Sequence, residues 1–201
     1  MFRRIALASA LALAAPAAFA GSYTLDPGHT QVVFSWNHFG YSNPTAQFRK
    51  IDGSLEFDAA NPTKASVKVT ISLASVNSNV EKLDEHLQSA EFFDSAKYPD
   101  AVFKSTKVEK GPGEGQLIVT GDLSLHGVTK PVVLNAVVNH VGEHPMRKAP
   151  AVGFDATATI KRSEFGIKTY VPMVSDDIHL RITTEAIDAK AYAESLKKPK
   201  G

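Results

Sequence analysis

Seven histidines, at positions 29, 38, 86, 126, 140, 144 and 179, are the residues of this 201-residue chain best suited to hold a metal or move a proton. Two of them stand in "HVGEH", His140 to His144, at the separation of a helical metal pair. That spacing places two imidazoles on one face only in a helix. Here the segment runs from a β-like stretch into a loop with glycine and proline, and Glu143 does not make it HExxH, which also requires a helix. Asp176 and Asp177 form a carboxylate pair, but neighbours on a strand point apart and cannot flank one reacting bond. The chain has no GxSxG elbow, Walker loop or dinucleotide glycine pattern. It has no cysteine either, which removes disulfides, thiolate metal sites, CxxC redox chemistry and a cysteine nucleophile together. The residues thus give an enzyme or metal protein little support beyond the histidines themselves, and no catalytic residue, catalytic cofactor or metal is expected. A histidine-based metal protein is the weaker alternative.

The residues that need explaining are apolar. "SAEFFDSAKYPDAVFKS" sets Phe92 and Phe93 side by side among charged and small residues. Leaving both rings in water forfeits roughly 1.5–3 kcal/mol of burial energy each. They must cover something, either an ordinary core or a ligand. In an extended segment adjacent side chains point opposite ways, so one ring is expected to pack and the other to line.

The elements that position these rings begin after residue 20. "MFRRIALASALALAAPAAFA" has a basic start at Arg3 and Arg4, an apolar run too short to span a bilayer, and a small-x-small site at Ala18-Phe19-Ala20. It reads as a signal peptide over 1–20, with Gly21 as the mature N-terminus and the periplasm as destination. Of the 22 basic residues two lie in this segment, so 20 remain against 21 acidic ones. That balance disfavours nucleic acid and other polyanions as partners.

From there period-two alternation dominates. Val32, Phe34, Trp36 and His38 share one face of "TQVVFSWNHF"; Phe48 falls out of parity with Ile51, Leu55 and Phe57, which calls for a bulge near Arg49 and Lys50. "ASVKVTISLASV" follows, then a short amphipathic helix with Val80, Leu83 and Leu87 on one face and Ser78 or Asn79 as its cap. Alternation resumes in five further stretches between Ala101 and Ala189, separated by turns at Gly111–Gly113, His126-Gly127 and 142–150. Eight strands joined mostly by short connections predict a mainly all-β fold: an antiparallel meander closed into a barrel, with one helix between strands three and four. A two-sheet sandwich is the alternative. The barrel domain is expected over 21–190, followed by a polar, frayed tail over 191–201.

An eight-stranded barrel either fills itself or holds one small ligand. Val132, Leu134, Ala136, Val138, Ala156 and Ala158 make small linings that leave room.

Over nearly its whole mature length the chain resembles the YceI-like polyisoprenoid-binding proteins. The resemblance is carried in order by "LDPGHTQVVFSWNHFG", "HLQSAEFFDSAKYPDAVFKST", "VTGDLSLHGVTKPV", "ATATIKRSEFGI" and "VSDDIHLRI". One departure is that Ala46 and Gln47 stand where the family commonly has a glycine before Phe48. The resemblance implies a lipocalin-like barrel that carries or sequesters a polyisoprenoid lipid, such as an isoprenoid quinone or its precursor, without catalysis. The ligand-contacting positions expected on this basis are Phe34, Trp36, His38, Phe48, Leu83, Leu87, Phe92, Phe93, Phe154 and Arg162. His38 has a plainer alternative as a histidine bonded at the end of its strand, and Arg162 as the partner of Asp176 or Asp177. Lys168 is a third mouth candidate and otherwise a surface charge. Another apolar small molecule or a protein partner is the alternative ligand, transient membrane contact is compatible with the reading, and oligomeric state, a dimer included, stays open.

Overall fold

Alternation of valine, leucine and phenylalanine with polar residues gives each strand one face that leaves water, and hydrogen bonding around a closed ring leaves no edge exposed. The computed structural model describes residues 20–197; apart from Ala20, the expected signal segment lies outside them, as do the last four residues. In chain order the strands are β1 (Ala20–Leu25), β2 (Gln31–Ser35), β3 (Thr45–Phe48), β4 (Ile51–Asp58), β5 (Ser66–Ser72) and β6 (Val76–Asn77). Helix α1 (Glu81–Gln88) follows, then β7 (Asp100–Lys110), β8 (Gln116–Leu125), β9 (Val128–Glu143), β10 (Pro150–Lys161), β11 (Asp177–Asp188) and helix α2 (Ala189–Ser195).

The eleven strands occupy eight positions around a closed antiparallel barrel. β1 and β2 lie end to end along one edge of β11, which pairs Tyr23 with Asp188 and Leu25 with Ala186, then Val32 with Ile182 and Phe34 with Leu180. β3 and β4 share the next position, since β4 pairs with β1 and β3 with β2. β5 and β6 share the third in the same way. β7 to β11 complete the meander. The bulge expected near Arg49 and Lys50 is a full interruption of the ladder: both backbone N–H groups donate to Ser75 Oγ, at 3.2 and 3.0 Å. β1 was not anticipated, because Tyr23 and Leu25 are its only large apolar residues and Pro27-Gly28 cuts the pattern short.

Two local expectations change. Neither Ser78 nor Asn79 is the residue that opens α1; Val80 holds that position, and Asp84 reaches back to the Ser78 N–H and hydroxyl at 2.6 Å each. Asn79 is in the left-handed region, which turns its side chain away from a capping geometry. The chain after β11 is not frayed at once: Ala189–Ser195 is helical, and Asp188 accepts a hydrogen bond from the Ala191 N–H at 2.9 Å.

Away from α1, a charged clasp ties the turn between β1 and β2 to the loop between β9 and β10. Buried Asp26 accepts hydrogen bonds from the Gly28 N–H, His29 Nδ1 and Arg147 Nη2. The Arg147 guanidinium also lies over the Tyr192 ring of α2. His144 Nε2 stands 3.3 Å from Glu185 Oε2 without the alignment of a hydrogen bond. Burial alone raises the Asp26 pKa, but these hydrogen bonds and the Arg147 charge outweigh it and hold the carboxyl below its usual range. A carboxyl lowered in the folded state stabilises fully above its unfolded pKa, about 3.9, and loses that contribution as pH falls through the lower folded value. Asp26→Asn should therefore cost about 1–3 kcal/mol at pH 7, with a smaller difference from the wild type at pH 3 than at pH 7 in urea denaturation.

Candidate functional site

Inside the barrel the small residues leave two apolar cavities that meet. The smaller one, of about 170 Å³, is bounded by Leu55, Phe57, Phe103, Val119, Leu134 and Phe154 among others. The larger, about 430 Å³, opens beside α1. Val32, Ile71, Leu123 and Leu180 line both and form the waist between them. Cavities of 300–1,000 Å³ lined mainly by apolar side chains are the usual size for small-molecule sites.

Phe34 and Trp36 reach the larger cavity because β2 turns that parity inward, and both are buried. Phe34 stacks on Trp36 at 5.7 Å and on Phe48 at 5.3 Å between ring centroids, and meets Phe93 edge-on at 6.0 Å. Offset and edge-on ring pairs of this kind hold their members in place beyond what area burial supplies. Leu83 and Leu87 come from the inner face of α1. Nine of the ten residues expected to touch ligand line this cavity; Phe154 lines the smaller one and meets Phe57 edge-on at 5.4 Å.

Phe92 and Phe93 both line this cavity, where one ring was expected to pack and the other to line. The segment is not extended: the Phe93 N–H donates to Leu87 O, the Asp94 N–H to Ser89 O, and Asp94 has a left-handed backbone. Strand parity does not govern a run of turns. Phe93 completes the aromatic group around Phe34, while Phe92 lies edge-on to His86 at 4.8 Å.

Arg162 does not pair directly with Asp176 or Asp177. Its Nε donates to Ser175 O, Nη1 to Ile167 O and Thr169 O, and Nη2 to Val174 O, at 2.8–3.4 Å. Four of the five guanidinium N–H donors are thus spent on one loop. Burial lowers its pKa and the Asp176 charge works against that, while the Phe92 ring lies 6.0 Å from the guanidinium carbon. Asp176 is occupied by the Ser163 N–H and hydroxyl, at 2.8 and 2.7 Å; Asp177 takes Lys161 at 2.8 Å.

Sequence reasoning missed Phe39, His86 and Tyr170, which line the mouth. His38 also lies there, edge-on to Phe39 at 4.6 Å, with bridge partners Ser42 and Val174. Lys168 is exposed on the loop that Arg162 holds. His140 and His144 lie away from the cavity, and among the described residues no three His, Asp or Glu side chains gather closely enough to hold a metal ion.

The pattern of the YceI-like domain matches residues 23–186. The chain belongs to the YceI-like family. Protein YceI of Escherichia coli O157:H7 is 41% identical over 184 residues, covering 90% of this chain and 95% of that protein. The crystal structure of a YceI protein of Campylobacter jejuni superposes with a TM-score of 0.68 at 33% identity, over 76% of this chain and 89% of that one. The same fold occurs at 16% identity in a polyisoprenoid binding domain from Saccharophagus degradans implicated in plant cell wall breakdown, with a TM-score of 0.64 over 83% of this chain and 98% of that one. In this YceI-like chain Arg162 shapes the mouth through backbone carbonyls, and its loss would leave them buried without donors. Arg162→Met should lower stability by about 3 kcal/mol or more, and amide hydrogen exchange should accelerate at residues 167–175 before it does in β8 or β9.

Proposed function

We propose that the protein binds a long isoprenoid lipid, an isoprenoid quinone or its precursor, and carries or sequesters it in the periplasm. The observation that carries this reading is the pair of joined apolar cavities, running from an aromatic mouth past the waist into a lining of aliphatic and phenyl side chains. The shape suits a chain-like guest better than a compact one. Membership of the YceI-like family and the polyisoprenoid binding domain with the same fold support it. The signal-like segment before Gly21 supports the periplasm.

Energetics favour exchange with a membrane. At about 0.8 kcal/mol per buried CH₂, a tail of roughly forty carbons would exceed the practical affinity ceiling of about 18–21 kcal/mol if it came from water. A lipid that comes from a bilayer is already in an apolar phase, so the cavity has only to compete with that phase. The mouth residues His38, His86 and Tyr170 then supply the polar contacts that distinguish headgroups.

Protein purified from a periplasmic fraction should begin at Gly21 and yield an isoprenoid lipid on solvent extraction and mass spectrometry. Recovery of only saturated or non-isoprenoid compounds would rule out the isoprenoid. Trp36, the single tryptophan, gives a second measurement. Its buried position in the mouth cavity predicts blue-shifted emission without ligand and saturable quenching by a prenylated quinone, but not by a saturated alkane of equal length. A titration with no quenching would remove the quinone.

A further inference from the structure

We propose that the rim of the mouth cavity is a docking surface for the polar–apolar boundary of a phospholipid bilayer. The proposal deepens the lipid-binding reading and rests on it. Of nine large hydrophobic residues exposed among those described, four lie on two loops at the rim: Phe39 (45% exposed), Tyr41 (92%), Tyr170 (47%) and Met173 (60%). Phe39 and Tyr170 also line the cavity, so the outer patch and the interior form one continuous apolar surface. An exposed patch that joins an apolar cavity marks an interaction site.

The two loops form one platform. The Phe39 N–H donates to Met173 O at 3.0 Å, the Ser175 N–H to Asn37 O at 2.9 Å, and the Asn37 N–H to Ser175 Oγ at 2.9 Å. Arg162 grips carbonyls of residues 167, 169, 174 and 175 from below. Thr169 Oγ1 donates to Glu91 O at 3.0 Å and ties the platform to the turn after α1. Phe39 and Tyr170 both hold left-handed backbone conformations, at φ 55° and 63°, which are unfavourable for side chains of that size. Strain of this kind clusters at functional sites, and here it presents two aromatic rings at the lip.

Composition selects the occupant. Residues 38–44 and 166–175 contain no aspartate or glutamate, and Lys168 is exposed among them. Tyrosine, phenylalanine and a nearby lysine suit the headgroup boundary, where amphipathic rings settle and a cation meets phosphate. A second copy of the chain is a poorer partner, because the two rim loops carry no carboxylate to meet the Lys168 of a mate and Glu91 beside them already meets His86 at 2.7 Å. No helix among the described residues is long and apolar enough to cross a membrane, and contact through a rim requires none. A tail that moves from bilayer to cavity across Phe39 and Tyr170 stays out of water.

The test is flotation of the exported protein with vesicles of phosphatidylcholine alone and of phosphatidylethanolamine with phosphatidylglycerol. The wild type is compared with Tyr41→Ser/Met173→Ser, whose residues line neither cavity, and with Val133→Ser/Val137→Ser on the barrel wall. The rim variant should lose about tenfold or more in vesicle partitioning, the equivalent of about 1.4 kcal/mol. The wall variant should match the wild type, and anionic vesicles should bind more protein than neutral ones. Equal flotation of rim variant and wild type, or no flotation of the wild type, overturns the docking surface. So does sedimentation showing a dimer that the rim substitutions dissociate. Solvent extraction of the same three proteins separates the two ideas: lipid in all three with no flotation difference leaves the cargo and removes the docking surface. A flotation difference with no lipid in any leaves the docking surface and removes the cargo.

Discussion

The rest of the molecule depends on one edge of β11, which supplies hydrogen bonds first to β1 and then to β2. An open sheet would expose unpaired N–H and C=O groups along that edge; sharing it between two short strands closes the ring. Closure fixes the number of wall positions at eight and so the width of the interior. Once the width is set, side-chain volume decides what is inside. Val132, Ala136 and Ala156 are too small to reach the opposite wall, and the smaller cavity is part of the space they leave.

The same closure explains why the first three wall positions are broken. The turn Asp26–Thr30, the interruption at Arg49 and Lys50, and the tight turn Leu73–Ser75 lie beside one another where neighbouring strands change partners. Ser75 Oγ and the Asp26 carboxylate accept the backbone N–H groups that these breaks would otherwise leave without partners. Val32 and Ile71, which flank the breaks, are also residues of the waist between the cavities.

Much of this was legible in the sequence because period-two alternation is a local signal. The inward parity of Phe34 and Trp36, and the open lining along Val132, Leu134 and Ala136, follow from neighbours two residues apart. What was not legible depends on partners far along the chain. Phe39 and Tyr170 meet the same cavity across 131 positions of sequence, and only after left-handed turns no alternation predicts. The Arg162 fork meets carbonyls because Ser163 has already taken the Asp176 side chain, a competition that residue types alone do not decide. β1 carries only two alternating apolar positions, too few to register as a strand before its pairing with β11 is known.

The two ends of the barrel are chemically unequal: one carries rings, Met173 and a lysine, the other the clasp of Asp26, His29, His144, Arg147 and Glu185. None of the clasp residues lines either cavity, whereas His38, His86, Arg162 and Tyr170 line the larger one at the aromatic end. On the proposed reading, a guest with one polar terminus would keep that terminus at the lip, among His38, His86 and Tyr170.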